Sequence, residues 1–164
     1  MIVTSLKSVT PSFDTYSVDL FPNTLSFRVV TTLDVDSESQ IPTRFTGRVR
    51  KLNHGVVECI TWLDKGVMED PSPRTPAYVL YRRSGEAKQE CHYRLGRLHD
   101  PAPGQPAVRG YFADGTPRYV EHYRYGRRHD ARESPAILRR RLDGTVRSVV
   151  HYHDGVRVGA ASAE

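Results

Sequence analysis

The chain has 164 residues, of which 38% are hydrophobic and 26% are charged, and its formal net charge is +5. This length suits one domain of ordinary size, and the composition is too apolar for a disordered chain. No stretch approaches the roughly 20 apolar residues of a membrane span, and the first ten residues lack the apolar core of a secretory signal. We therefore expect a cytoplasmic protein with no membrane association.

The N-terminal segment, residues 1–40, differs from the rest of the chain and is predicted to form a β-hairpin cap. The run YSVDLF reads as one strand, residues 21–23 as the turn, and residues 25–35 as a second strand with alternating apolar and polar side chains. Residues 36–40 are polar and are interpreted as a linker. Terminal units of repeat proteins are commonly atypical in this way.

Regularly spaced glycines identify tandem repeats over residues 41–164. The first set recurs at intervals of 30, 30 and 29 residues, at Gly55, Gly85, Gly115 and Gly144. A second glycine follows each of these eleven positions later, at Gly66, Gly96, Gly126 and Gly155. The spacing predicts units near 55–84, 85–114 and 115–143, with partial copies at 46–54 and 144–158.

Each repeat unit is predicted to be a hairpin followed by a proline-containing connection. Asp114-Gly115 and Asp143-Gly144 lie between two strand-like runs and favour type I′ turns, in which both central residues have positive φ. A lone hairpin is marginal in water, so successive hairpins should pair edge to edge. The predicted fold is all-β: an extended antiparallel meander of tandem hairpins. By alternation, Gln89, Cys91 and Tyr93 share one face, whereas Arg147 lies on the opposite face.

The runs GRLHDPAPGQPAVRGYFADG and GRRHDARESPAILRRRLDG resemble the MORN repeat and the related repeats of the YwqK-like antitoxin family. The resemblance covers roughly residues 46–158. The loops of this chain are longer than is common in that family. Where the family has a glycine before Pro-Ala, this chain has Thr75, Gln105 and Ser134. The resemblance implies a non-catalytic protein that acts through protein contacts, as antitoxins do.

Histidines and cysteines are assigned structural roles rather than metal or catalytic roles. His92, His122 and His151 share a repeat column, and equivalent strands of successive hairpins lie roughly 9.5 Å apart, too far for one metal ion. The pairs His99-Asp100 and His129-Asp130 lack an adjacent nucleophile, so each carboxylate is expected to accept backbone hydrogen bonds in a loop. The two cysteines, Cys59 and Cys91, are interpreted as reduced apolar side chains.

An arginine-rich and tyrosine-rich region is the predicted interface. Such residues are typical of protein-binding hot spots, but single-stranded nucleic acid and a merely solvated surface remain alternatives. The residues assigned to partner binding are Tyr119, Tyr123, Arg124, Tyr125, Arg127, Arg128, Arg139, Arg140, Arg141 and Arg147.

The expected function is non-enzymatic binding of a protein with an acidic surface, without a cofactor. A phage or mobile-element inhibitor of a host protein, or an antitoxin or immunity protein, fits this description. The alternative is a protein that binds nucleic acid or a phosphorylated nucleotide through the same arginines. Open edge strands leave pairing into a homo-dimer as a further alternative.

Overall fold

The computed structural model describes residues 16–21 and 24–162, and its secondary structure is almost entirely β. Within this part of the chain, the helical content is one turn of 3-10 helix at Glu38–Gln40, capped by Ser37. No helix of the described residues is long and apolar enough to cross a membrane. The prediction of an all-β meander is therefore confirmed.

The N-terminal strands depart from the predicted cap in one respect. β1 (Tyr16–Phe21) and β2 (Thr24–Val29) pair antiparallel in a sheet of their own, whereas their connecting residues 22–23 lie outside the described residues. The chain then forms β3 (Thr32–Val35), which pairs in parallel with β4 (Gly47–Asn53) in the main sheet. The single strand predicted over residues 25–35 is therefore wrong, because its two halves pair with different partners.

Burial explains why β3 joins the main sheet. Leu33 and Val35 pack against Val49 of β4 in a small core, which Ile41 and Phe45 cover from the connecting segment. Polar side chains also join the two strands, since Arg50 donates from Nε to Asp34 Oδ1 at 2.7 Å and from Nη2 to Asp34 Oδ2 at 2.6 Å. A parallel pair needs a crossover connection, and the segment containing the 3-10 turn supplies it.

The main sheet has eleven strands, and from β4 onward its strands pair antiparallel in a meander. β3 and β17 form its two edges, and β6 pairs beside β5 off the main path. Two further short hairpins, β9–β10 and β13–β14, connect successive long hairpins. The strands are β5 (Val56–Asp64), β6 (Val67–Met68), β7 (Tyr78–Tyr81), β8 (Ala87–Cys91), β9 (Tyr93–Arg94), β10 (Arg97–Leu98), β11 (Val108–Tyr111), β12 (Pro117–Glu121), β13 (Tyr123–Arg124), β14 (Arg127–Arg128), β15 (Ile137–Arg140), β16 (Val146–His153) and β17 (Val156–Ser162).

The Asp-Gly turns adopt a different type from the one predicted. Gly115 has a φ of +83°, but Asp114 is not among the non-glycine residues with positive φ. Phe112 N–H donates to Thr116 O at 2.9 Å, and Gly115 N–H donates to Phe112 O at 3.2 Å, which defines a three-residue loop ending in a left-handed glycine. The Asp114 carboxylate accepts from Thr116 N–H at 2.9 Å within this loop. The type I′ prediction is therefore wrong at this turn.

Turns with two left-handed residues occur instead at the second glycine of the repeat, and also at His54-Gly55 between β4 and β5. In the short hairpin β9–β10, Leu95 has a φ of +51° and Gly96 a φ of +71°. Tyr125 and Gly126 repeat this conformation between β13 and β14. These are the residues that a type I′ turn requires to have positive φ, although neither Leu nor Tyr favours that region.

Candidate functional site

An aspartate in each connecting loop holds the neighbouring repeat through three contacts. Asp100 Oδ1 accepts from Ala107 N–H at 2.8 Å and from Tyr123 N–H at 2.9 Å. Its Oδ2 lies 2.7 Å from Nδ1 of His122, whose side chain is almost fully buried. We call this set an Asp–His clasp. Two further clasps repeat it, Asp70 with Ala77, Tyr93 and His92, and Asp130 with Ala136, Tyr152 and His151.

A histidine precedes two of the three clasp aspartates and makes separate contacts. His99 Nδ1 accepts from Tyr125 N–H at 3.2 Å, and the two rings lie 4.4 Å apart. Burial, together with the nearby charges of Arg94 and Arg124, lowers the pKa of His99. His129 contacts His153, with ring centroids 6.1 Å apart. Residues adjacent in sequence thus serve different contacts, and the clasp histidine comes from the next repeat.

A groove of about 750 Å³ crosses one face of the main sheet beside these clasps. Five of the residues predicted to bind a partner line it together. The lining residues are Gln89, Cys91, Tyr93, Leu98, Val108, Arg118, Tyr119, Glu121, Tyr123, Arg139, Arg140, Arg147 and Ser148. The predicted common face of Gln89, Cys91 and Tyr93 is confirmed by this lining.

β-Bulges aim two arginines into the groove. Between β15 and β16, Arg139 pairs with Ser148 and Arg140 with Val146, so Arg147 is an extra residue without a cross-strand partner. A bulge interrupts strict alternation and can redirect a side chain. Arg147 therefore lines the same groove as Ser148, and its assignment to the opposite face is wrong.

The equivalent bulge between β11 and β12 places Arg118 in the groove. Gly110 pairs with Tyr119 and Tyr111 with Pro117, which leaves Arg118 as the extra residue of β12. Its guanidinium lies 5.8 Å from the ring centroid of Phe112. Arg118 was missed from sequence, although a repeat signal exists: each bulge residue stands three positions after an aligned glycine. The four positions are Glu58, Lys88, Arg118 and Arg147.

Glu121 anchors the floor of the groove. Its Oε2 accepts from the Tyr123 hydroxyl at 2.9 Å and lies 3.4 Å from Arg128, while its Oε1 lies 3.9 Å from Arg139. Burial, followed by the charge of Glu121, raises the pKa of Tyr123 to about 12. Tyr123 therefore stays a neutral hydrogen-bond donor across the physiological range.

Tyr119 is held in place by a neighbouring strand and by a glycine. Its hydroxyl donates to Gln89 Oε1 at 2.9 Å. A Cβ atom added to Gly110 would lie 2.1 Å from a ring carbon of Tyr119, so only glycine leaves room for the ring. The groove thus contains tyrosines whose positions are fixed by specific contacts.

The structure separates the other predicted interface residues from the groove. Arg128 lies between two rings, with its guanidinium 5.7 Å from Tyr123 and 5.6 Å from Tyr152. Arg141 donates to Val146 O at 2.9 Å within its own turn. Arg124 lines a separate cavity of about 380 Å³ beside His99. The two remaining residues are the turn residue Tyr125 and Arg127, which packs over Gly155.

No protein-family model, curated protein or solved structure matches this chain. The chemistry of the site is therefore argued from the groove itself. Four arginines and one glutamate line it, which gives a local charge of four minus one, or +3. Such a groove attracts an anionic group and offers tyrosine surface beside it.

Proposed function

We propose that this protein is a non-enzymatic binding module whose groove receives an acidic segment of a partner protein. The observation that carries the proposal is the convergence of Arg118, Arg139, Arg140 and Arg147 on one groove. Arg147 makes no hydrogen bond or ion pair with the described part of the chain and is exposed. Its guanidinium is therefore free to donate two parallel hydrogen bonds to a carboxylate.

The fixed tyrosines support recognition of a protein surface. Tyr119 and Tyr123 are half-buried and hydrogen-bonded at their hydroxyls, so little side-chain entropy is lost when a partner covers them. Tyrosine and arginine are also the residue types that most often carry binding energy at protein interfaces. The groove therefore combines charge attraction with pre-organised contact area.

Glu121 favours a peptide over a nucleic acid in this groove. A nucleic-acid strand carries one phosphate per nucleotide, so its backbone would have to pass the carboxylate among the arginines. A polypeptide can place a backbone N–H or a hydroxyl opposite Glu121 and its carboxylates opposite the arginines. We therefore favour a protein partner over the nucleic-acid alternative.

Binding of this kind supports an inhibitory role. A protein that covers an acidic surface on its target blocks whatever the target does with that surface. This is the action of an antitoxin, an immunity protein or a phage-encoded inhibitor, and it requires neither catalysis nor a cofactor. Burial of His122 supports a non-enzymatic role, since a side chain that is 2% exposed is out of reach of a substrate.

Fluorescence anisotropy with a labelled 12-residue peptide of alternating glutamate and serine tests the proposal. Arg139→Glu combined with Arg147→Glu should weaken binding by about tenfold or more, because two attractive contacts become repulsive. Arg83→Glu combined with Arg132→Glu makes the same charge change at exposed positions outside the groove and should change affinity by less than about threefold.

Two results would overturn the proposal. Equal losses in the groove pair and the control pair would show that only the net charge matters. Tighter binding of a 12-residue oligothymidylate than of the peptide, lost in the groove pair, would assign the groove to nucleic acid instead.

A further inference from the structure

A second cavity, of about 390 Å³, lies on the N-terminal half of the main sheet. Its lining is mainly apolar, in contrast to the arginine-rich groove. The apolar residues that line it include Val35, Ile41, Val49, Leu63, Met68 and Leu80. Several strands contribute to it, so it is a feature of the repeat sheet and not of one loop.

Strand register places this apolar cavity directly beside the groove. Leu80 of β7 pairs with Gln89 of β8, and Tyr78 pairs with Cys91. Residues directly opposite each other in an antiparallel pair lie on the same face with Cβ atoms roughly 5 Å apart. Leu80 and Tyr78 line the apolar cavity, whereas Gln89 and Cys91 line the groove. The two cavities are therefore adjacent on one face of the sheet, and together we call them the trough.

Charge differs between the two ends of the trough. In the apolar cavity, Lys51 lies 3.4 Å from Glu58 and 3.9 Å from Glu38, so its charge is locally compensated. The bulge position of the repeat changes from Glu58 in this cavity to Arg118 and Arg147 in the groove. An occupant that follows the trough is thus oriented, with its acidic part over β12 to β16.

The sheet also fixes the length of the occupant. Five strand spacings separate β5, in the apolar cavity, from β15, in the groove. At about 4.8 Å each they span roughly 24 Å, which corresponds to about 7 extended or 16 helical residues. A single peptide segment is long enough to reach both ends.

We infer that the partner presents an amphipathic segment, with aliphatic or aromatic side chains in the apolar cavity and carboxylates in the groove. This inference rests on the proposed function and deepens it, because it specifies the partner's sequence pattern. Burial of a large apolar side chain stabilises the complex, so the apolar end contributes affinity that salt does not screen.

Selection of random 16-residue peptides displayed on phage, with the full chain immobilised, tests the inference. Enriched peptides should carry an acidic cluster at one end and a large apolar side chain at the other. Enrichment of acidic residues without a distant apolar residue would overturn the inference and leave the proposed function intact. Enrichment without acidic residues would overturn both.

Substitutions at each end of the trough provide a second test, in which the affinity for one selected peptide is measured. Leu80→Lys should weaken binding at high salt as well as at low salt, while Arg139→Glu with Arg147→Glu should act mainly at low salt. Met68→Lys, in the short strand β6, repeats the test at a second position of the apolar cavity. Thermal unfolding identifies any variant that fails to fold. Unchanged affinity in both apolar-end variants, when folded, would contradict the inference.

Discussion

The carboxylate of Asp100 connects three parts of the chain. It accepts from the amide of Ala107, a fully buried residue, and from the amide of Tyr123, and it contacts His122. Buried backbone donors that lose their acceptor are costly, because water cannot replace it. The clasp therefore contributes to stability by satisfying donors at the junction between repeats.

Asp100→Ala should destabilise the protein by about 2–4 kcal/mol, since charged hydrogen bonds are lost and buried donors remain unpaired. Urea unfolding at neutral pH measures this loss. The matched control is Asp114→Ala, which removes an exposed carboxylate whose hydrogen bonds, within the described part of the chain, come from Thr116 of its own turn. The control should cost less than about 1 kcal/mol, and equal effects of the two variants would contradict the role of the clasp.

Acid should weaken the third clasp. Burial of Asp130 opposes its ionisation, but hydrogen bonds from Tyr152 N–H, His151 and Ala136 N–H outweigh it and lower the pKa of Asp130. The folded protein then binds this proton less tightly than the unfolded chain. The resulting stability is present above the ordinary aspartate pKa of about 3.9 and is lost as pH falls below it.

Asp130→Asn should therefore make the free energy of unfolding fall less steeply with pH over this acidic window. Urea unfolding of the variant and the wild type between neutral pH and the acid limit of folding measures the difference. Identical slopes in the two proteins would show that Asp130 is not perturbed by folding.

At the residue scale, the sequence revealed the members of the clasp but not their pairing. The histidine column and the repeated aspartates are visible as repeats. Each pair, however, is separated by about two strands and a turn, as with Asp100 and His122. His99 and Asp100 are adjacent in sequence and were considered together as a pair, but their side chains make different contacts. Only the sheet register brings the true partners together.

At the scale of elements, the short hairpins carry conformational strain. Leu95 adopts a left-handed φ of +51° and its side chain is 73% exposed, so packing does not compensate for it. This conformation costs an ordinary residue about 1–2 kcal/mol, whereas asparagine adopts it more readily. The turn of β9–β10 is therefore a place where the natural residue is not the most stable one.

Leu95→Asn should raise the free energy of unfolding by about 0.5–1 kcal/mol, because Asn-Gly is a favoured type I′ pair. Thermal or urea unfolding measures the gain. Leu142→Asn is the control, since Leu142 is similarly exposed at 64% but is not a positive-φ position. A gain at Leu142 and none at Leu95 would contradict the turn assignment.

Because of the bulges, the alternation of side chains along a strand did not predict every residue's face of the sheet correctly. Arg147 has no partner in the pairing of β15 with β16, and strict alternation assigned it to the wrong face of the sheet. Aligning the repeats on Gly115 and Gly144 would have placed Arg118 and Arg147 in one column, which is the signal for a shared role. The bulge does not depend on the loop, since β4 and β5 are joined by the two-residue turn His54-Gly55 and still have a bulge at Glu58.

At the scale of the whole molecule, the repeats predicted an all-β meander because each hairpin buries surface only against its neighbours. The parallel pairing of β3 with β4 was not predictable from strand period, since it depends on a contact with a distant strand. β3 and β17 are the two edges of the main sheet. Pairing of such an edge with a second copy stays a prediction, and Val156 on β17 is 66% exposed.

The proposed function requires one face of this sheet to bind an acidic polypeptide through the groove. The nine tyrosines provide a direct test, because NMR of tyrosine-labelled protein reports each ring separately. On titration with the glutamate-serine peptide, the resonances of Tyr93, Tyr119 and Tyr123 should shift saturably, while Tyr125, in its turn outside the groove, should not. Shifts at Tyr125 with none at the three groove tyrosines would contradict the account.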